Sequence, residues 1–263
     1  MRHPPVSVST TRTRAAGRPG DAAPAAGLAG GPALLLLGHG SRDRRSVLAT
    51  RALARAVAAA RPSVTVRHSF LDLSQPRTGP VLRRLAAEGR HDVVAVPLLL
   101  TAAYHSRVDV PAALAEFPGV RQAGVLGPDP RLLDGLMRRL ARVPEFDALV
   151  LAGAGSSDAG AVACVAGVAA ALGERYGVPA RVGFASVATP VEKAIRELRD
   201  RGAQRVAVAS YFLAPGLLHD RVIEAAGRAG AVGVAEPLVA VPELVDVVLD
   251  RYAVAARGVL VAA

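Results

Sequence analysis

Short runs of aliphatic residues alternate with longer amphipathic stretches along most of this chain. The aliphatic runs lie at 33–37, 64–71, 92–100, 120–126, 147–152, 179–187, 205–213 and 231–235. Runs that are apolar almost throughout are typical of strands buried on both faces, as in a parallel sheet. Amphipathic stretches typical of helices lie between them, for example at 44–61, 77–90, 130–142, 159–176, 191–202 and 242–257. The pattern predicts an α/β protein with two four-stranded parallel sheets, each flanked by helices.

The second half of the sequence repeats features of the first half in the same order. Residues 37–45, Leu-Gly-His-Gly-Ser-Arg-Asp-Arg-Arg, return at 152–160 as Ala-Gly-Ala-Gly-Ser-Ser-Asp-Ala-Gly, where alanine replaces His39. A second block pairs His105 with His219, at a spacing of 219 − 105 = 114 residues. Ordered matches at a nearly constant spacing indicate an internal duplication.

The repeat divides the chain into two similar domains after a leader. We expect a first domain over 31–145 that carries a polar site and a degenerate copy over 146–263. Residues 1–30 are rich in Arg, Pro, Ala, Gly, Ser and Thr without an aliphatic run, which predicts a disordered leader and not a signal peptide. A split near residue 145 makes two domains of ordinary size.

Composition limits the classes of partner. The formal net charge is +10, but Lys193 is the one lysine, tryptophan is absent and aromatic residues make up 3% of the chain. Stacking platforms for nucleic acid therefore have little to be built from, and we expect no nucleic-acid partner. No aliphatic run approaches the length of about 20 residues that a membrane span requires. The single cysteine, Cys164, excludes an internal disulfide framework and favours the cytoplasm.

Three polar residues follow predicted strands of the first half. His39 follows the first strand, Asp72 the second and His105 the third. In parallel α/β sheets, ligands bind beyond the carboxyl ends of the strands, so we expect these side chains near one site. Two imidazoles and a carboxylate suit a borderline divalent metal, and they suit general acid–base chemistry equally well. Spacing alone leaves both alternatives open.

At these residues the chain resembles the class II tetrapyrrole chelatases, specifically the sirohydrochlorin cobaltochelatases and siroheme ferrochelatases. The resemblance covers nearly everything after residue 30. It rests on five segments, namely Leu-Gly-His39-Gly-Ser-Arg-Asp, Phe70-Leu-Asp72, Val96-Pro-Leu-Leu-Leu100, His105, and Val108-Asp-Val-Pro-Ala-Ala-Leu114. It implies a lyase that inserts a divalent metal into sirohydrochlorin, for siroheme synthesis with Fe²⁺ or for cobalamin synthesis with Co²⁺. Fe²⁺ is favoured because the sequence lacks the metal-rich tail of some cobalt-linked members.

The resemblance also implies roles for individual residues. By this resemblance, His39 and His105 are expected to act as metal ligands and proton acceptors. Asp72, where the family more often has Glu, orients an imidazole or neutralises the metal. The substrate is a polycarboxylate, for which the candidate contacts are Ser41, Arg42, Arg44, Arg45, Arg107 and His219. No permanently bound cofactor is expected, because the metal is a substrate. A non-catalytic carrier of metal or tetrapyrrole would use the same residues and is the alternative function.

Overall fold

The structure is a computed structural model that describes residues 31–102, 105–186 and 190–258. The side chains of His105 and Ser106, and the predicted leader at 1–30, lie outside the described residues. Within the described ranges, no helix combines the length and apolarity needed to cross a membrane.

The first half forms a parallel sheet with strand order β2-β1-β3-β4. Its strands are β1 (Ala33–Gly38), β2 (Val66–Phe70), β3 (Val93–Pro97) and β4 (Val120–Gln122). Its α-helices are α1 (Arg44–Ala60), α2 (Thr78–Ala87), α3 (Val110–Leu114) and α4 (Pro130–Leu140). A five-residue π-helical turn, His105–Asp109, leads into α3.

The second half repeats this topology, with strand order β6-β5-β7-β8. Its strands are β5 (Ala148–Gly153), β6 (Ala180–Phe184), β7 (Val206–Ser210) and β8 (Gly233–Val234). Its helices are α5 (Ala159–Tyr176), α6 (Val191–Asp200), α7 (Leu217–Arg228) and α8 (Pro242–Ala256). The predicted fold class, two similar four-stranded parallel sheets flanked by helices, is confirmed.

Local signals locate several helix ends. Asp158 caps α5, because its side chain accepts a hydrogen bond from the backbone N–H of Ala161. Gly89 and Gly202 follow α2 and α6 with φ of 75° and 101°, a region that favours glycine after a helix. The π-helical turn, α3 and α7 were not predicted. The turn and α3 are each five residues long, too short to show helical periodicity in the sequence.

The last helix of each half packs against the other half. Helix α4 contacts β7 and α5, whereas α8 contacts α1, β3 and β4. Two hydrogen bonds hold α8 against the first half. The Tyr252 hydroxyl donates to the Pro32 carbonyl at 2.6 Å, and the Arg251 guanidinium donates to the Val125 carbonyl at 2.8 Å. One core therefore spans both sheets. This shared core fixes the position of one sheet relative to the other.

Candidate functional site

A cleft of about 350 Å³ lies between the carboxyl ends of the two sheets. Each half contributes the loop after its first strand, residues 38–40 in one half and 153–156 in the other, and the segment after its third strand. Most of the lining is apolar, and it includes the two matching phenylalanines Phe70 and Phe184. The volume falls in the range of small-molecule sites.

His39 lines this cleft, and its loop is bonded to the segment that carries Asp72. The backbone N–H of Leu71 donates to the Gly38 carbonyl, and that of Asp72 donates to the His39 carbonyl, both at 2.9 Å. Gly40 permits this approach: its φ is 101°, and a Cβ there would overlap the Asp72 carbonyl oxygen. The structure therefore brings His39 and Asp72 together at the ends of β1 and β2.

Asp72 is ionised at neutral pH and already has a cationic partner. Its Oδ1 lies 2.7 Å from Arg77 Nη1, and Arg77 also donates to the Leu71 carbonyl at 2.9 Å. A hydrogen bond from the Leu73 backbone and the Arg77 guanidinium hold the pKa of the Asp72 carboxyl below its usual range, and the nearby His39 contributes. The sequence analysis did not identify Arg77 as a site residue. Its position five residues after Asp72 was the one available indication that the two side chains could pair.

His105 begins the π-helical turn that follows β3, so its backbone lies beyond the same sheet edge as His39. Its side chain lies outside the described residues. The preceding segment, residues 98–101, lines the cleft. Among the side chains that the structure describes, no group of three or more His, Cys, Asp and Glu could hold a metal ion.

The loop between His39 and α1 has an internal hydrogen-bond network. The Ser41 hydroxyl accepts from the Asp43 N–H at 3.0 Å, while the Ser41 N–H donates to Ser74 Oγ at 2.9 Å. Asp43 caps α1 by accepting from the Arg45 N–H at 2.9 Å. The start of α1, next to the predicted substrate contact Ser41, is therefore capped by the chain's own Asp43. The Arg42 and Arg44 side chains are exposed in this loop and in the first turn of α1.

Two predicted substrate arginines pair with acidic residues of the second half. Arg45 Nη1 lies 3.1 Å from Asp220 Oδ1 at the start of α7. Arg107 Nη1 lies 3.7 Å from Asp158 Oδ2 at the start of α5, and Arg107 also donates to the Ala102 carbonyl at 3.1 Å. The Arg45 side chain is 49% exposed and that of Arg107 is 66% exposed, so both ion pairs are accessible to solvent.

His219 is buried in the second half and is not among the described residues that line the cleft. Its Nε2 lies 3.0 Å from Ser210 Oγ, which donates its proton to the Ala235 carbonyl. His219 Nε2 must then carry the proton that it shares with Ser210. Burial lowers the pKa of His219, and its ring packs edge-on against Phe212. This placement favours a structural role for His219 over the predicted substrate contact.

Among the residues that the structure describes, the wall of the cleft opposite His39 carries no equivalent imidazole. Ala154 occupies the matching position and lines the cleft. Ser186 occupies the position of Asp72, and its hydroxyl donates to the Ala154 carbonyl at 2.6 Å. The second half keeps the backbone arrangement, since the Ala185 N–H donates to the Gly153 carbonyl at 3.0 Å. The polar site is therefore one-sided.

Comparisons with known proteins agree with this duplicated architecture. The CbiX family model matches residues 33–143 and again residues 148–255. A sirohydrochlorin cobaltochelatase of Priestia megaterium is 28% identical over 210 residues, covering 73% of this chain and 67% of that protein. A sirohydrochlorin ferrochelatase of Bacillus subtilis is 29% identical over 202 residues, covering 72% of this chain and 77% of that protein.

Among solved structures, SirB from Bacillus subtilis with Fe³⁺ has the same fold. It matches with a TM-score of 0.73 and 24% identity, covering 86% of this chain and 96% of that chain. Because two successive matches to one family model cover most of the sequence, this protein belongs to the CbiX family.

Proposed function

We propose that this protein is a sirohydrochlorin chelatase, a lyase that inserts a divalent metal into sirohydrochlorin. Its curated relatives are named as sirohydrochlorin cobaltochelatase and ferrochelatase. The observation that carries the proposal is the one-sided polar site: His39 lies on the wall of an apolar cleft, beside Asp72 and at the sheet edge where the turn of His105 begins. An apolar cleft suits the face of a macrocycle, and one polar wall suits delivery of metal to a single face.

The chemistry assigns a task to His39, which lines the cleft, and to Asp72 and His105, which follow the neighbouring strands. Insertion removes two pyrrole protons and strips water from the metal. Neutral imidazole binds borderline metals and accepts protons near neutral pH, so His39 and His105 act as metal ligands and proton acceptors. Asp72 is paired with Arg77, so we assign it to orienting His39 or offsetting the metal's charge, not to direct ligation.

Four arginines bind the substrate carboxylates. Arg42 and Arg44 are exposed in the loop and first helical turn after His39. Arg45 and Arg107 reach the substrate by exchanging acidic partners, which are Asp43 and Asp220 for Arg45 and Asp158 for Arg107. Ser41 shapes the loop between His39 and α1 through its hydrogen bonds. For His219 we propose a structural role, because its ring is buried against Ser210 and Phe212.

We propose Fe²⁺ as the physiological metal and Co²⁺ as an accepted one, since imidazole and carboxylate bind both. With Fe²⁺ the product is siroheme, and with Co²⁺ it feeds cobalamin synthesis. The metal is a substrate, and the proposal needs no permanent cofactor. A cytoplasmic location fits a chain with one half-buried thiol, Cys164, and no partner for a disulfide.

The test is metal insertion by the purified protein under anaerobic conditions. Metal-free sirohydrochlorin is mixed with Fe²⁺ or Co²⁺, and its absorbance change measures the rate of insertion. His39→Ala and His105→Ala should each lower the rate by about 100-fold or more, and the double variant should be little slower, because residues that act as a unit are not additive. His219→Ala, which removes the matching histidine of the second half, is the control and should keep its turnover.

The outcomes separate the enzyme from the carrier. Binding of sirohydrochlorin or metal without turnover by the wild-type protein would favour the carrier. Turnover that survives in either first-half variant would instead contradict the assignment of His39 and His105 while leaving the chelatase function intact.

A further inference from the structure

Tyr211 is a residue of the second half whose hydroxyl group reaches the first half. It directly follows β7, is 4% exposed and lines the cleft. Its hydroxyl donates to the carbonyl of Leu100 at 3.3 Å. Leu100 belongs to the segment between β3 and the turn of His105, so the hydrogen bond joins the second half to the segment that carries a proposed metal ligand.

The surroundings of this hydrogen bond are closely packed. A Cβ at Gly127 would overlap the Leu100 carbonyl oxygen and would lie 2.5 Å from the Tyr211 hydroxyl oxygen, so only glycine fits between them. The neighbouring Leu99 carbonyl accepts from the Leu126 N–H at 2.9 Å. Burial raises the pKa of Tyr211, so the hydroxyl keeps its proton at neutral pH and remains a donor. The Leu100 carbonyl is therefore held in one place.

The hydroxyl belongs to the second copy alone. The internal match of Tyr211 is Leu98, because the N–H of each residue bonds to the adjacent first strand: Leu98 to the Leu37 carbonyl and Tyr211 to the Ala152 carbonyl, both at 2.8 Å. Leucine at this position has no donor to offer. The half that lacks the His39 equivalent thus supplies the hydrogen bond, and the half that has His39 receives it.

We propose that Tyr211 is a positioning residue for metal insertion, whose hydroxyl fixes the backbone at Leu100, in the stretch of chain that leads from β3 to His105. This inference rests on the proposed function. It gives the degenerate half a specific part in the reaction, because the second half sets the geometry of a ligand that it does not itself carry. A displacement of about 1 Å at a reacting group costs up to about 100-fold in rate, so one hydrogen bond at this place matters.

Tyr211→Phe tests the proposal, since it removes the hydroxyl and keeps the ring. Tyr176→Phe is the matched control: the Tyr176 hydroxyl also donates across the halves, to the Met137 carbonyl at 3.3 Å, and neither residue is among the described lining of the cleft. We expect kcat of Tyr211→Phe to fall at least about tenfold while KM for sirohydrochlorin stays within a few-fold. Tyr176→Phe should keep the wild-type kcat.

A titration with Co²⁺ alone provides a readout that does not depend on turnover, because the visible absorption of Co²⁺ reports its binding. Tyr211→Phe should weaken Co²⁺ binding, because one ligand is displaced, whereas Tyr176→Phe should not. Equal kcat and equal Co²⁺ affinity in the two variants would overturn the inference. If the wild-type protein bound Co²⁺ without turnover, the proposed function would fail and the titration would still decide the role of Tyr211. If the wild-type protein turns over with Fe²⁺ but binds no Co²⁺ alone, the proposed function stands, and equal kcat in Tyr211→Phe and Tyr176→Phe would overturn the inference.

Discussion

Gly40→Ala should disable the proposed metal site through the backbone alone. Gly40 connects His39 to the loop of Ser41, and it has a φ of 101°. A Cβ at this position would overlap the carbonyl oxygen of Asp72. The loop after β1 and the segment after β2 must therefore separate, although the hydrogen bond from Asp72 to the His39 carbonyl holds them at 2.9 Å.

The size of the effect follows from two separate costs. An alanine in the left-handed region costs about 1–2 kcal/mol of stability. The overlap requires a shift of roughly 1 Å or more at His39 and Asp72, and a misplacement of this size at a reacting group lowers the rate by up to about 100-fold. The loss of turnover in Gly40→Ala should thus far exceed what a modest loss of stability explains.

The internal repeat provides the control. Gly155 occupies the matching position in the second half with a φ of 99°, beside Ala154 in place of a histidine. In Gly155→Ala the free energy of unfolding, measured with denaturant, should fall by a similar amount, about 1–2 kcal/mol. It should nevertheless keep turnover within a few-fold of wild type, measured by the absorbance of sirohydrochlorin with Fe²⁺ under anaerobic conditions.

Two results would refute this reasoning. Near-normal turnover in Gly40→Ala would mean that the relation of His39 to Asp72 is not needed for insertion. Equal losses of turnover in Gly40→Ala and Gly155→Ala would mean that the two halves contribute alike, contrary to the one-sided site.

Four further outcomes are expected. Removal of residues 1–30 should leave turnover and the unfolding midpoint unchanged, because the segment has no aliphatic run to bury; a large drop in melting temperature would contradict this. His219→Ala should cost about 1–3 kcal/mol of stability through its lost buried hydrogen bond, with turnover retained. Burial lowers the pKa of His219 and His68, so the unfolded chain binds more protons and the free energy of unfolding should decrease as pH falls below about 6.5; His219→Ala should flatten that decrease. Asp220→Asn should lower KM for sirohydrochlorin modestly, because Arg45 loses one of its two carboxylate partners and keeps Asp43; steady-state kinetics at low salt measure the change, and an unchanged KM would contradict it.

Much of the architecture could be predicted from the sequence because its signals are local or periodic. Aliphatic runs bounded by polar stretches determine buried parallel strands, and the repeat of residues 37–45 at 152–160 determines two similar halves. The placement of His39 and Asp72 at one sheet edge also follows, since parallel strands end at the same side. Helix starts and stops such as Asp158 and Gly202 depend on neighbouring residues alone.

Only the tertiary structure decided which groups of one half meet the other half. The packing of α4 and α8 against the opposite halves joins elements that are distant in sequence. Arg45 and Asp220 are 175 positions apart, Leu100 and Tyr211 are 111 positions apart, and no periodicity records such partners. The same limit applies to His219, which matches His105 in sequence but lies against Ser210 in the core. A residue type and its spacing determine what a side chain can do, whereas the packing of distant segments determines what it contacts.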